Sequence, residues 1–122
     1  VRRLCSFCAK KKAATAEDLK KIEHDLAELP KKIKKPDLKK ITLSEAVGCE
    51  ECGGTGYRGR IGVFEGFLID DKIENLILSE PSESALHQAA IAQGMLTMKQ
   101  DGILKMLSGM TTLEELERVI GE

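Results

Sequence analysis

Gly48-Cys-Glu-Glu-Cys-Gly-Gly-Thr-Gly-Tyr-Arg-Gly-Arg-Ile-Gly-Val-Phe-Glu65 is the stretch on which the reading of this 122-residue chain turns. Cys49 and Cys52 are separated by two residues and followed by glycines. That spacing lets a tight turn present two thiolates to one ion while backbone N–H groups point at the sulfurs. Cys5 and Cys8 repeat it near the start of the chain, with forty residues between the pairs, and no cysteine is left over. Two such pairs in a short chain predict a structural four-thiolate zinc site with Cys5, Cys8, Cys49 and Cys52 as ligands.

Two disulfides or four unpaired thiols are the plainer alternatives. A disulfide within C-x2-C is strained and redox-active, and the strand-to-helix context of a thioredoxin-like site is missing. Iron fits the same four ligands, as in rubredoxin-like sites. Thiols spaced for metal rather than for a disulfide framework point to a reducing, cytosolic setting.

Apolar residues make up 42% of the chain, yet there are only three Phe, one Tyr and no Trp, so its cores must be aliphatic, as suits packed helices. The chain lacks a signal peptide and any apolar run near the roughly eighteen residues of a membrane span. Val1-Arg-Arg-Leu4 reads as the middle of something longer, because a ligand-bearing knuckle so close to a free terminus would be poorly anchored. Charge is lopsided. Residues 1–40 hold 13 Lys or Arg against 6 Asp or Glu, a net of +7, and residues 41–122 hold 6 against 14, a net of −8. Lys10-Lys11-Lys12, Lys31-Lys32, Lys34-Lys35 and Lys39-Lys40 could contact nucleic acid or acidic phospholipid, but a solvated face explains them more simply. No aromatics are interleaved for single-strand binding, and no direct nucleic-acid contact is expected.

The expected fold class is α+β and mostly α-helical: a tetracysteine lobe with a short strand over residues 1–69, carrying an insertion at about 9–47, then a C-terminal bundle of short helices over 70–122. Thr15 is expected to cap a helix with Leu19, Ile22, Leu26 and Leu29 as its stripe, ended by Pro30. His24 lies off that stripe and reads as solvated. Ile61, Val63, Phe64, Phe67, Leu68 and Ile69 predict a strand. Capping boxes are expected at Asp71 with Glu74 and at Thr111 with Glu114, with further caps at Ser82 or Ser84 and at Thr97. His87 and the methionines are assigned to helix packing.

Catalytic constellations are missing: no G-x-x-x-x-G-K-[ST] loop, no H-E-x-x-H and no nucleophile beside a base. Four thiolates would fill a zinc ion and leave no position for water, so the metal is expected to hold the fold.

Leu4-Cys-x-x-Cys after two arginines, the 48–65 stretch, Gly94-Met95-x-Thr97 with Asp101-Gly102 and Lys105, and Gly109-x-Thr111-Thr112-x-Glu114-Glu115 with Arg118-Val119 together resemble the C-terminal end of the type II secretion and type IV pilus assembly ATPases. The resemblance covers nearly the whole chain apart from residues 9–47. It implies a hexameric cytoplasmic parent that hydrolyses ATP to drive secretion or pilus assembly at the inner membrane, with ATP and Mg2+ bound upstream of Val1. It also implies neighbouring ring subunits and membrane-platform proteins as partners. Carried over, Cys5, Cys8, Cys49 and Cys52 match the family's tetracysteine motif. Arg58, Arg60 and Glu65 match a recurrent segment, expected to make a salt bridge with one another or a subunit interface. The Cys49-x-x-Cys-x-Gly-Thr-Gly run is also similar to one repeat of the zinc module of J-domain co-chaperones, and a nucleic-acid-binding zinc ribbon is a further rival reading.

Overall fold

The computed structural model describes residues 1–121. Strands β1 (Arg2–Leu4) and β2 (Lys10–Ala13) precede helix α1 (Ala16–Asp25), strands β3 (Thr42–Glu45) and β4 (Tyr57–Arg60) come after it, and α2 (Asp71–Leu78), α3 (Glu83–Gln93), α4 (Met98–Leu107) and α5 (Leu113–Ile120) follow. The fold is α+β and mostly helical, as expected.

Two antiparallel ribbons carry the strands. In one, β1 pairs with β4, Leu4 opposite Tyr57 and Arg2 opposite Arg60, with an irregularity between them. In the other, β2 pairs with β3, Lys10 opposite Glu45 through Ala13 opposite Thr42. The region between the cysteine pairs therefore folds back on itself as a ribbon plus one helix, and delivers both pairs to one place.

Helix boundaries follow local chemistry. The hydroxyl of Thr15 accepts from the Asp18 N–H while the Asp18 carboxylate accepts from the Thr15 N–H, and Thr97 with Gln100 forms the same reciprocal cap on α4. Ser82 caps α3 by accepting from Ala85 N–H. Two caps sit one residue away from expectation. Asp70, not Asp71, caps α2, and Thr112, not Thr111, caps α5. Thr111 is diverted because its hydroxyl donates to the Arg2 carbonyl at 2.9 Å. Helix α1 ends at Asp25, ahead of Pro30.

The strand expected over Ile61–Ile69 is not formed. Its pattern is strand-like, but a strand needs a partner edge. Side chains hold the segment instead. The Asp101 carboxylate accepts from Phe64 N–H, and the Gln93 amide both accepts from Leu68 N–H and donates to its carbonyl, each at 2.8 Å. Phe64, Phe67, Leu68 and Ile69 remain exposed.

The principal apolar core gathers Ile22 and Leu26 from α1 and its C-terminal cap, Leu43 from β3, Ile103 and Met106 from α4, and Leu116 from α5. It thus draws on both sides of residue 70. Gly102, in the middle of α4, lets α5 approach: a Cβ there would lie 2.8 Å from Leu116 Cδ2. A mid-helix glycine costs about 1 kcal/mol relative to alanine, and here the close approach offsets it. His24 and His87 are both exposed, so His87 lies outside this packing, as do Met98 and Met110, whereas Met95 and Met106 are buried.

Candidate metal centre

The four cysteine sulfurs form one cluster, all within 4.8 Å of one another. Cys5 Sγ lies 3.8 Å from Cys49 Sγ, Cys8 Sγ 3.9 Å from Cys52 Sγ, and Cys49 Sγ 3.7 Å from Cys52 Sγ. Four sulfurs at about 2.3 Å from a shared tetrahedral centre stand about 3.8 Å apart, so the cluster has the dimensions of a four-thiolate metal site. Disulfide sulfurs would be about 2.05 Å apart, and all four cysteines are free.

The backbone is shaped to the sulfurs. Gly48 N–H donates to Cys8 Sγ at 3.3 Å, and the N–H groups of Cys49 and Gly56 each donate to Cys52 Sγ at 3.2 Å. Such donors spread the charge that four thiolates concentrate and fix their orientation. Gly56 sits at φ +79°, and a Cβ on it would fall 2.6 Å from the Cβ of Ala46, so any side chain there would push the second pair out of place. Its carbonyl also accepts from Cys5 N–H at 2.9 Å, which ties the two pairs together through the backbone. Burial pushes the Cys49 thiol up to about 11. At Cys52 burial pushes the same way but is outweighed by the N–H donors of Cys49 and Gly56, which bring it down to about 6.

Arg58 bridges the tips of both knuckles. Its guanidinium stands 3.6 Å from the carboxylate of Glu51, between the second pair of cysteines, and 5.8 Å above the ring of Phe7, between the first pair. Arg60 is exposed, and Glu65 Oε2 accepts from Met98 N–H at 2.8 Å, at the start of α4. Among the described residues Glu65 makes no ion pair with Arg58 or Arg60. Its carboxylate is committed to α4, and Arg58 has the nearer Glu51.

A second polar cluster backs the metal centre and went unread in the sequence. Glu115 is buried and accepts from Arg2 N–H at 2.9 Å, from the Arg2 guanidinium at 2.8 and 3.0 Å, and from the Arg118 guanidinium at 2.6 and 3.0 Å. Arg2 also lies 4.2 Å over the Tyr57 ring, and the Tyr57 hydroxyl shares a 2.8 Å hydrogen bond with Thr112. The Arg118 contact, with Arg2 assisting and burial opposing, holds the Glu115 carboxyl far below the ordinary carboxylate range. The β1–β4 ribbon is thus clamped at one end by sulfurs and along its side by α5. The pair of arginines before Leu4 and the glutamate three residues into the α5 cap were the available signals.

Comparison with known proteins gives a consistent assignment. A family model described as type II/IV secretion system protein matches residues 1–118. The type IV pilus assembly ATPase PilB of Thermus thermophilus is 35% identical over 116 residues, covering 95% of this chain and 12% of that protein. The type II secretion system ATPase E of Vibrio cholerae is 36% identical over 122 residues, covering 100% of this chain and 22% of that protein. The type II secretion system protein HxcR of Pseudomonas aeruginosa is 50% identical over 74 residues, covering 61% of this chain and 16% of that protein. The chain spans less than a quarter of the length of each of these relatives. Matched by the family model over nearly its entire length, and carrying the paired cysteines in one cluster, the chain belongs to the type II/IV secretion system protein family.

Proposed function

We propose that this chain is the metal-binding and helical region of a hexameric cytoplasmic ATPase that powers type II secretion or type IV pilus assembly, held at the inner membrane through its partners. The observation that carries the reading is the sulfur cluster, with neighbouring distances of 3.7, 3.8 and 3.9 Å. Cys5, Cys8, Cys49 and Cys52 would hold Zn2+, which when bound neutralises thiolate charge and staples the two ends of the 9–47 insertion. The protein's own groups do the rest: N–H donors orient the sulfurs, Arg58 spans the knuckle tips, and Glu115 fastens the ribbon to α5. The result is a stiff lever that passes movement of an ATP- and Mg2+-binding motor core to a neighbouring subunit or to a membrane-platform protein. No step of hydrolysis is assigned to these residues, since four thiolates saturate a tetrahedral ion. No helix among the described residues is long and apolar enough to cross a membrane, so membrane attachment in this reading runs through partner proteins.

The test is Cys49→Ser combined with Cys52→Ser in the complete protein that carries this chain. Zinc content should fall from one ion per chain to none, and secretion or pilus assembly should be lost while ATP binding persists. Zinc retained by the variant would rule out the metal site, and transport surviving zinc loss would rule out the lever.

A further inference from the structure

We propose that the residues immediately preceding Val1 in the complete protein form an antiparallel strand along Ile61–Phe67, continuing the β1–β4 ribbon beyond Val1. The inference deepens the function proposed above by naming how this region joins the rest of the protein. It rests on the part of that reading in which the chain is a region of a longer one.

The ladder outlasts the pairing of Arg2 with Arg60. Past that pair the Val1 nitrogen donates to the Ile61 carbonyl at 3.0 Å, and Ile61 N–H donates to the Val1 carbonyl at 2.9 Å. Two bonds exchanged between opposite residues are the closely spaced pair of an antiparallel ladder, and such pairs recur at every second residue. The next would join Val63 to the second residue before Val1, then Glu65 to the fourth and Phe67 to the sixth.

The backbone past Ile61 is already laid out to receive them. Residues 62–69 run on without turn or bend, and none has a positive φ, Gly62 and Gly66 included. In extended backbone the N–H and carbonyl of one residue point to the same edge, and those of the next residue to the opposite edge. Among the described residues, every hydrogen bond made to backbone 62–69 falls on the even-numbered edge. Lys105 donates to the Gly62 carbonyl, Asp101 accepts from Phe64 N–H, and Gln93 engages both groups of Leu68, each at 2.8 Å. On the other edge the N–H and carbonyl groups of Val63, Glu65, Phe67 and Ile69 have no partner among the described residues.

Side chains of α3 and α4 thus hold one edge and leave the other open, on the side where Val1 already sits. An open edge of this kind takes another strand. A second copy or a separate protein would have to stop short of Val1. The chain's own upstream residues arrive from Val1 in register, at the high effective concentration of a tethered segment. A strand there would also cover the flanks of Phe64 and Phe67, which are 71% and 45% exposed.

Two measurements on the complete protein test the pairing. Amide hydrogen exchange at Val63, Glu65 and Phe67 should run roughly a hundredfold or more below the unstructured rate. A benzophenone amino acid in place of Phe67, in mixed isotope-labelled and unlabelled copies, identifies the occupant. Crosslinks to residues about four to eight places ahead of Val1 in the same copy are expected, the opposite residue and its diagonal neighbours. Unprotected amides overturn the pairing, and crosslinks to another copy or to any other segment overturn the occupant. ATP binding by the same preparation keeps the two readings apart. A protein that binds ATP but leaves these amides unprotected keeps the motor and loses the strand. One that binds no ATP overturns the motor, and the amides alone then judge the strand.

Discussion

The cysteine end and the helical end of this molecule solve the same problem by different means. Among the described residues around the knuckles only Leu4 and Cys5 are buried and apolar, while six buried apolar side chains meet where α1, β3, α4 and α5 converge. A ribbon as short as β1–β4 has too little apolar surface to hold itself, and in the proposed function ligation supplies what packing does not. The contrast teaches that a rigid lobe can be attached to an ordinary core without enlarging the core, provided something joins the two. Glu115 does so, reaching from α5 to Arg2 on β1.

The sharpest way to break that contrast is to remove the sulfurs. Apparent binding free energies of structural zinc in small domains are roughly 10–16 kcal/mol, larger than any single side-chain contact here. Cys49→Ser with Cys52→Ser should therefore abolish hydrogen-exchange protection of the β1–β4 amides while α4 and α5 keep theirs. If α4 and α5 lose protection at the same time, the two ends are one cooperative unit. Next in size is Leu26→Ala, which empties a fully buried position. It should cost about 2–5 kcal/mol and lower the melting temperature by several degrees, with zinc content unchanged. Zinc lost in step with that destabilisation would show that the helical core holds the knuckles in place.

What could be read before folding depended on how far each decision reaches along the chain. The cysteine pairs were legible because a two-residue spacing already contains the geometry of a knuckle. The caps at Thr15, Ser82 and Thr97 were legible because each closes on an N–H three residues away. Thr111 and Thr112 could not be told apart, since the choice is made by the Arg2 carbonyl, 109 residues distant. The run from Ile61 to Ile69 has a strand's composition, but pairing is a property of a neighbour that the local pattern does not contain. Arg58 was singled out from its motif, yet its partners, Glu51 and Phe7, become neighbours only once both knuckles close. Glu115 looked like one more acid in a first helical turn, and only the arrival of β1 makes it a buried anchor.

That anchor gives the third measurement. Glu115→Gln should cost about 1–3 kcal/mol, the range for hydrogen bonds to a charged group, with the lower part favoured because the side chains of Arg2 and Arg118 are 43% and 58% exposed. The pH dependence has a definite sign. The folded carboxyl lies below its unfolded value of about 4.5, so its stabilisation is complete above about pH 5 and is lost as pH falls through 4.5 and beyond. The stability difference between the native protein and Glu115→Gln should be flat at neutral pH and shrink on acidification. Thiolate titration is common to both proteins and drops out of that difference. A difference that instead grew toward low pH would mean that the carboxylate is not stabilised by its arginines.

The smallest effect sharpens the comparison from the other side. Lys21 of α1 lies 3.1 Å from Glu117 of α5, and so also joins two elements far apart in sequence, as the Arg2–Glu115 pair does. Both partners are about half exposed, at 48% and 52%, so water competes for each charge and the ordering of two long side chains cancels much of the attraction. Lys21→Ala should therefore change stability by no more than about 0.5 kcal/mol, a shift near the limit of a denaturant titration, and raising the salt concentration should erase it. Glu115→Gln should keep most of its cost at high salt, because its carboxylate is out of reach of solvent ions. Equal salt sensitivity in the two variants would mean that burial of Glu115 is not what fastens the ribbon to α5.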